Sequence, residues 1–471
     1  MKKGVKKALC VALAAGMIVP MAACGSKGGS AEKTGGDAKT QTTKSGGEGK
    51  VLNIQCWNDE FARRLRDHYP DFKPTDKENP TKGGTIGDVK VKFTVTPSDN
   101  NAYQNNLDEV LPKNADAKDD SKVDLFLIEA DYARKYINTK TPVTEKIADL
   151  GITDADLANQ YQYTKDVVTD SKGDLRGVSW QGCPGLLIYN RSIAKAMWGD
   201  DSPETVQQHV KDWDTFNATA AELKAKNYKV EATVNDSYRV YSQNATEPWV
   251  DKNGKIQIDD NIMKWVDDSK KLVDAGETGT DDLWSDGWKA GFKAPGDTFC
   301  YFGPAWLINF SMGNAPDSDK GDDGSIAYQG GWGACEGPQS FNWGGTWICA
   351  AKGTDNKTLI ADIMKKMTCD KDTMLDIVKK DSDFVNNQPA MEEAAKDDSY
   401  AFKVLGGQNP LPLFCEGAKK ISMKNLSDYD QGCTESFQKA MKDYFTGNAS
   451  KDEALNNFYS DVMKKYPNLT K

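Results

Sequence analysis

Between Val51 and Tyr132 the chain alternates short apolar runs with helical patterns, and that order leaves few folds open. Val51-Leu-Asn-Ile-Gln-Cys-Trp57 alternates as a strand, and Phe61, Leu65 and Tyr69 then recur at helical spacing. Val89 to Val95 is a second strand, a helix follows from about Asn101 to Leu111, and Val123 to Ile128 is a buried strand. Strand, helix, strand, helix, strand is the order of a parallel sheet with crossover helices, so the fold class is α/β. In open sheets of this kind a ligand sits at the carboxyl ends of the strands. The residues there are Asn58, Asp59 and Glu60 after the first strand, and Glu129 and Asp131 after the third.

A chain of 471 residues exceeds one small core and calls for two or three domains. The first candidate junction is Gly177 to Asn190, where Gly182, Cys183, Pro184 and Gly185 bend the chain into the apolar run Leu186–Tyr189. A similar transition recurs at Gly344-Gly-Thr-Trp-Ile-Cys-Ala-Ala351, and a third bend falls at Asn386-Asn-Gln-Pro389. Each of the first two junctions brings tryptophans and polar groups to a place where two lobes meet, which makes a cleft. Elsewhere the pattern predicts helices over 212–226, 260–275, 355–380, 433–446 and 450–465, and a short strand over Val230–Val234. Trp213, Trp265, Trp284 and Trp288 fall on helical patterns and are expected in the core.

The first two dozen residues have a basic start, an apolar stretch from Ala8 to Val19, and then Met21-Ala-Ala-Cys24-Gly25. The stretch is too short to span a bilayer as a mature helix and reads as a secretory signal. Small residues directly before a cysteine resemble the bacterial lipobox, in which residues 1–23 are removed and Cys24 becomes a lipidated N-terminus. Loss of Lys2, Lys3, Lys6 and Lys7 moves the formal charge from −10 to −14, a surface that disfavours nucleic acid and anionic lipid. From Gly25 to Lys50 the composition is small and polar, which reads as a tether with an r.m.s. reach of about 25–30 Å. The eight remaining cysteines are widely spaced, several of them inside apolar runs, and read as free buried thiols. With no CxxC pair and only His68 and His209, the ligands for a Cys/His zinc site are lacking.

Five motifs then occur in order: Leu187-Ile-Tyr-Asn-Arg191, Trp213-Asp-Thr-Phe216, Trp288-Lys-Ala-Gly-Phe292, Gly303-Pro-Ala-Trp306 and Gly344-Gly-Thr-Trp-Ile-Cys-Ala-Ala351. Together they resemble the extracellular solute-binding proteins (family 1) of carbohydrate ABC importers, the group containing maltose-binding protein. The resemblance covers nearly all of residues 51–471. It implies a two-lobe periplasmic-binding-protein-like fold of type II, each lobe a mostly parallel sheet with flanking helices, joined by three hinge crossings. With crossings near 183, 347 and 388, the lobes are 51–183 plus 348–387, and 184–347 plus 388–471. It further implies a monomer without cofactor or metal, anchored to the membrane only by lipid, that hands a sugar or oligosaccharide to ABC permease subunits. Asn58, Asp59, Glu60 and Asp131 would be polar contacts. The sequence departs from the family pattern at the first crossing, where Cys183 replaces the usual acidic residue and a Trp180-Gln181 pair precedes it.

A pyranose has apolar C–H faces and a rim of hydroxyls, so it asks for aromatic platforms and planar hydrogen-bonding groups. Of the 12 Trp, the platform candidates are Trp57, Trp180, Trp306, Trp343 and Trp347, with Tyr238, Arg239 and Tyr241 adding contacts from the second lobe. Glu129 and Asp131 have a competing role as helix caps. Asp317–Gly324 lacks the closing Glu of a calcium loop and reads as a solvated acidic loop. The alternatives are a lipid-anchored glycoside hydrolase using Glu129 with Asp131 or Asp59 with Glu60, a same-fold binder of a non-sugar solute such as a peptide, and an adhesin. GxSxG, P-loop and HExxH motifs are absent.

Overall fold

The computed structural model describes residues 48–313, 324–328 and 330–471. The signal, Cys24, nearly all of the tether and most of the acidic segment 317–324 lie outside the described residues. Among the described residues, eleven strands form two sheets. They are β1 (Val51–Cys56), β2 (Phe72–Pro74), β3 (Gly84–Ile86), β4 (Val89–Val95), β5 (Leu125–Glu129), β6 (Val178–Ser179), β7 (Leu186–Asn190), β8 (Lys229–Glu231), β9 (Thr298–Gly303), β10 (Trp332–Cys335) and β11 (Thr346–Ala350). One sheet has the order β2-β3-β4-β1-β5-β11-β6 and the other β10-β7-β9-β8, so the chain is two-lobed.

Both sheets are mixed, whereas the sequence reading has them mostly parallel. β1 is parallel to β4 and β5, but β11 runs antiparallel to β5 and β6, and β7 runs antiparallel to β9 and β10. The difference has a topological cause. A strand that returns from the other lobe crosses in the opposite sense, and β11 does so with Thr346 beside Glu129. The β3–β4 hairpin adds another antiparallel pair through a two-residue turn at Gly87, whose φ of +55° suits glycine.

The central strands β5, β7, β9 and β11 are buried on both faces, which explains their continuous apolar runs. Asp124 ties the first sheet together. It accepts from the Asn53 backbone N–H at 2.8 Å, the Thr354 hydroxyl at 2.6 Å and the Asn356 amide at 3.0 Å. In the second lobe Trp265 is fully buried against Tyr238, Phe437 and Phe445 and donates to Val234 O at 2.8 Å. Truncating such a ring to alanine costs about 3–5 kcal/mol.

Helices occupy 213–224, 260–275, 430–445 and 451–465, close to the sequence reading, while 355–380 divides into 357–368 and 371–381. The predicted strand Val230–Val234 ends at Glu231, because Thr233 and Asp236 form a capping box that starts a helix at Val234. The bend at 386–389 is a helix start, with Asn387 as N-cap and Pro389 in the first turn. All eight described cysteines are free, and all but Cys369 are buried. Among the described residues no helix is long and apolar enough to cross a membrane.

Candidate functional site

A cleft of about 800 Å³ opens between the carboxyl end of β1, the residues following β5 and β9, and the segment 381–383. Its first wall grows out of β1. Trp57 directly follows the strand and packs edge-on against Tyr103 at 5.5 Å, and the Asn58 side chain accepts from the Glu60 backbone N–H at 3.0 Å, starting the helix Glu60–His68. Arg64, one turn on, donates to Glu60 at 3.4 Å and to Asp383 at 3.2 Å, and pairs with Asp381. The Gln181 amide, from the first crossing, donates to Glu60 at 3.1 Å and Asp383 at 3.0 Å. One guanidinium and one amide thus bind three segments far apart in sequence.

The second wall is aromatic. Trp306 lies edge-on to Trp343 at 5.1 Å and nearly parallel to Trp284 at 6.1 Å, and its indole N–H donates to Trp343 O at 3.3 Å. Phe310, 62% exposed, continues the apolar surface toward the mouth. Gly344 and Gly345, with φ of +78° and +107°, carry the chain past these rings. A Cβ on Gly345 would lie 3.1 Å from the Trp347 ring, so both backbone and space call for glycine there.

Asp131 and Arg239 join the walls. Asp131 follows β5 and Arg239 lies on the helix Val234–Gln243 of the second lobe, and the two form a bidentate pair with Nη1 to Oδ1 at 2.6 Å. The same guanidinium stands 5.6 Å over Trp343. Outside the cleft, Arg134 pairs with Asp428 at 3.3 Å. Burial, reinforced by Asp131 and opposed by Arg239, pushes the Glu129 carboxyl up to about 8. Glu129 at neutral pH is therefore mainly protonated and offers an O–H donor. Burial also raises Glu60 and Asp383, with Arg64 opposing it. Among the described residues no group of three or more His, Cys, Asp or Glu side chains is placed to hold a metal ion.

A family model described as bacterial extracellular solute-binding protein matches residues 82–404, more than half of the chain. The chain belongs to that family. Solved structures share the fold of this solute-binding protein at low identity. The galacto-N-biose/lacto-N-biose I-binding protein of Bifidobacterium longum superposes with a TM-score of 0.64 at 11% identity, covering 91% of this chain and 100% of that one. The binding protein of B. animalis subsp. lactis solved with β-1,6-galactobiose gives 0.62 at 16%, covering 89% and 99%. The GacH receptor of Streptomyces glaucescens gives 0.60 at 16%, covering 89% and 99%. No curated protein matches by sequence.

The cleft of this solute-binding protein brings together Trp57, Asn58, Glu60, Glu129, Asp131, Gln181, Arg239, Trp306 and Trp343. Five other candidates stand elsewhere. Asp59 pairs with Arg63 along the helix at 3.3 Å. Trp180 is fully buried and stacks on Phe61 at 5.6 Å, and Trp347 is buried with its N–H donated to Thr164 O at 2.9 Å. Tyr238 packs against Trp265, and Tyr241 stacks on Trp213 at 3.8 Å. The helix explains the last two: residues 238 and 241 share its buried face, while 239 points about 100° away.

The sequence reading also missed residues of the cleft wall. Trp284, 45% exposed with φ of +72°, lines the cleft although its spacing suggested a core helix. Ser285 caps the following helix by accepting from Trp288 N–H, which leaves Trp284 outside it, and the Ser-Asp pair was a readable signal. Arg64 shows as an i,i+4 partner of Glu60. Asp381 and Asp383 carry no local signal.

Proposed function

We propose that this protein captures a sugar or oligosaccharide between its lobes, 51–183 plus 348–387 and 184–347 plus 388–471, without altering it. In this reading it is a monomer, held on the outer face of the cell membrane by lipid on Cys24, that delivers its cargo to the permease subunits of an ABC importer. The observation that carries the proposal is the pairing of an aromatic wall, Trp284, Trp306 and Trp343, with a wall of amides and carboxylates fixed by arginine. The rings suit the C–H faces of a pyranose and the polar wall its hydroxyls. The neighbours solved with lacto-N-biose, β-1,6-galactobiose and acarbose support the same class of ligand.

The hydrolase alternative needs two carboxyl groups free to flank a glycosidic bond. Here Asp131 is clamped by Arg239, Glu60 by Arg64 and Gln181, and Asp59 by Arg63. Calorimetry with α- and β-linked disaccharides and trisaccharides tests the proposal. One-to-one saturable binding with the sugar recovered intact is expected, and either no binding across the panel or shortened products at turnover would refute it.

A further inference from the structure

The chain passes from the first sheet to the second through residues 180–185, between β6 and β7. This crossing is hydrogen-bonded on both sides and changes partner midway. Over its first half it pairs with 384–386, where Gly182 N–H donates to Phe384 O at 3.0 Å and Asn386 N–H to Trp180 O at 2.7 Å. Over its second half it pairs with 341–343, where Trp343 N–H donates to Cys183 O at 3.1 Å and Gly185 N–H to Phe341 O at 2.8 Å. The change of partner falls at Cys183.

That residue is also strained. Its φ is +50°, in the left-handed region, where a Cβ crowds the backbone and disfavours an L-residue by about tenfold in an equilibrium. Among the described residues five other non-glycine residues have positive φ. Asn100, Asn101 and Asn227 are of the type that tolerates it, Ser382 ends the helix Lys371–Asp381 as left-handed caps do, and Trp284 stands on the cleft wall. Cys183 has no local reason of this kind. The glycines beside it serve packing, since a Cβ at 182 would lie 2.6 Å from the Phe384 ring and one at 185 only 2.0 Å from that of Phe341. At 183, where the backbone itself favours glycine, the chain carries a buried cysteine. The same ribbon holds the indole N–H of Trp180 and the side-chain oxygen of Asn342 buried without a partner among the described residues. Such a segment keeps its shape only because contacts elsewhere determine it. Here those contacts run between the two halves: Arg239 to Asp131, Arg134 to Asp428, and the Asn309 amide to Ser382 O at 2.9 Å.

Resting on the capture reading, we infer that Cys183 is a spring at the pivot between the lobes. The arrangement joined by these contacts winds it into the left-handed region, and opening lets its backbone relax. The ligand therefore binds against the spring, with an affinity below what the cleft contacts alone would give.

The test compares Cys183→Ala with Cys183→Gly. Both lack the thiol, and only alanine keeps the Cβ that the left-handed region disfavours. Glycine also frees the unfolded chain, which lowers a denaturant midpoint but cancels between two folded arrangements. Calorimetry, with the wild-type protein alongside, uses α- and β-linked disaccharides and trisaccharides. Cys183→Gly is expected to bind about tenfold tighter than Cys183→Ala. Equal affinities, tighter binding by Cys183→Ala, or loss of binding in both variants alone would overturn the spring while leaving sugar capture standing. If the wild type and both variants bind no sugar, capture falls and X-ray scattering of the free proteins decides the spring by itself. A Cys183→Gly protein more compact than Cys183→Ala then supports it, and one that is no more compact overturns it.

Discussion

Replacing Arg239 with glutamine removes the bidentate link between the lobes. The two side chains are 20% and 36% exposed, between the surface pairs that contribute 0–1 kcal/mol and the buried ones whose rupture costs 3–5 kcal/mol. An intermediate loss of about 2 kcal/mol follows, after discounting for solvent at Asp131. If that energy favours the closed arrangement that grips the ligand, affinity falls about 30-fold. The Arg134–Asp428 pair remains, so the lobes shift toward opening without losing every link. Calorimetry on a double-mutant cycle with Asp131→Asn isolates the pair from direct ligand contacts of Arg239. X-ray scattering of the free proteins reads the opening. A coupling below about 0.5 kcal/mol, with scattering curves unchanged, would refute the idea that this pair draws the lobes together.

Three other outcomes can be checked. Glu129 is protonated below about 8, so affinity should fall as pH rises through that value, and Glu129→Gln should flatten the profile measured by calorimetry from pH 6 to 9.5. Asp236, 2% exposed and accepting from the Trp288 indole at 2.7 Å, is raised by burial to about 7 from the usual 3.8. The folded state therefore holds this proton more tightly. The contribution, about 4 kcal/mol, is fully present below pH 4 and lost as pH climbs to 7, so denaturant midpoints should show a downward component over that window that Asp236→Asn abolishes. Gly345→Ala places a Cβ at φ of +107° and 3.1 Å from Trp347, and should lower stability by about 1–3 kcal/mol in thermal melts, whereas Gly407→Ala, with open space around it, should show only the backbone part of that cost.

Much of this molecule was legible in its sequence because the information is local. The alternation in β1 and β4, the continuous apolar run of β5, the helical spacing of Phe61 and Leu65, and the glycine pairs at the junctions are each set by neighbours within a few residues. The strand-end rule named Asn58, Glu60, Glu129 and Asp131, which line the cleft, together with Asp59, which does not. The choice of aromatic platforms departs from the structure where burial depends on what packs from elsewhere. Trp180 and Trp347 adjoin the cleft in sequence, yet Phe61 and Thr164 draw their rings inward. Asp383 reaches the cleft only because Arg64 and Gln181, far away in sequence, meet it there. The antiparallel sense of β11 likewise depends on its return from the second lobe.

The free cysteines give an experimenter an opening. Burial raises the thiols of Cys56, Cys335 and Cys433 to about 12 and that of Cys415 to about 11, so they are poor nucleophiles at neutral pH. Maleimide dyes attached at one engineered position on each side of the groove would face little competition from this interior sulfur, Cys369 being the one to mask first. Single-molecule energy transfer could then follow the jaws of the protein in real time with its native thiols left in place.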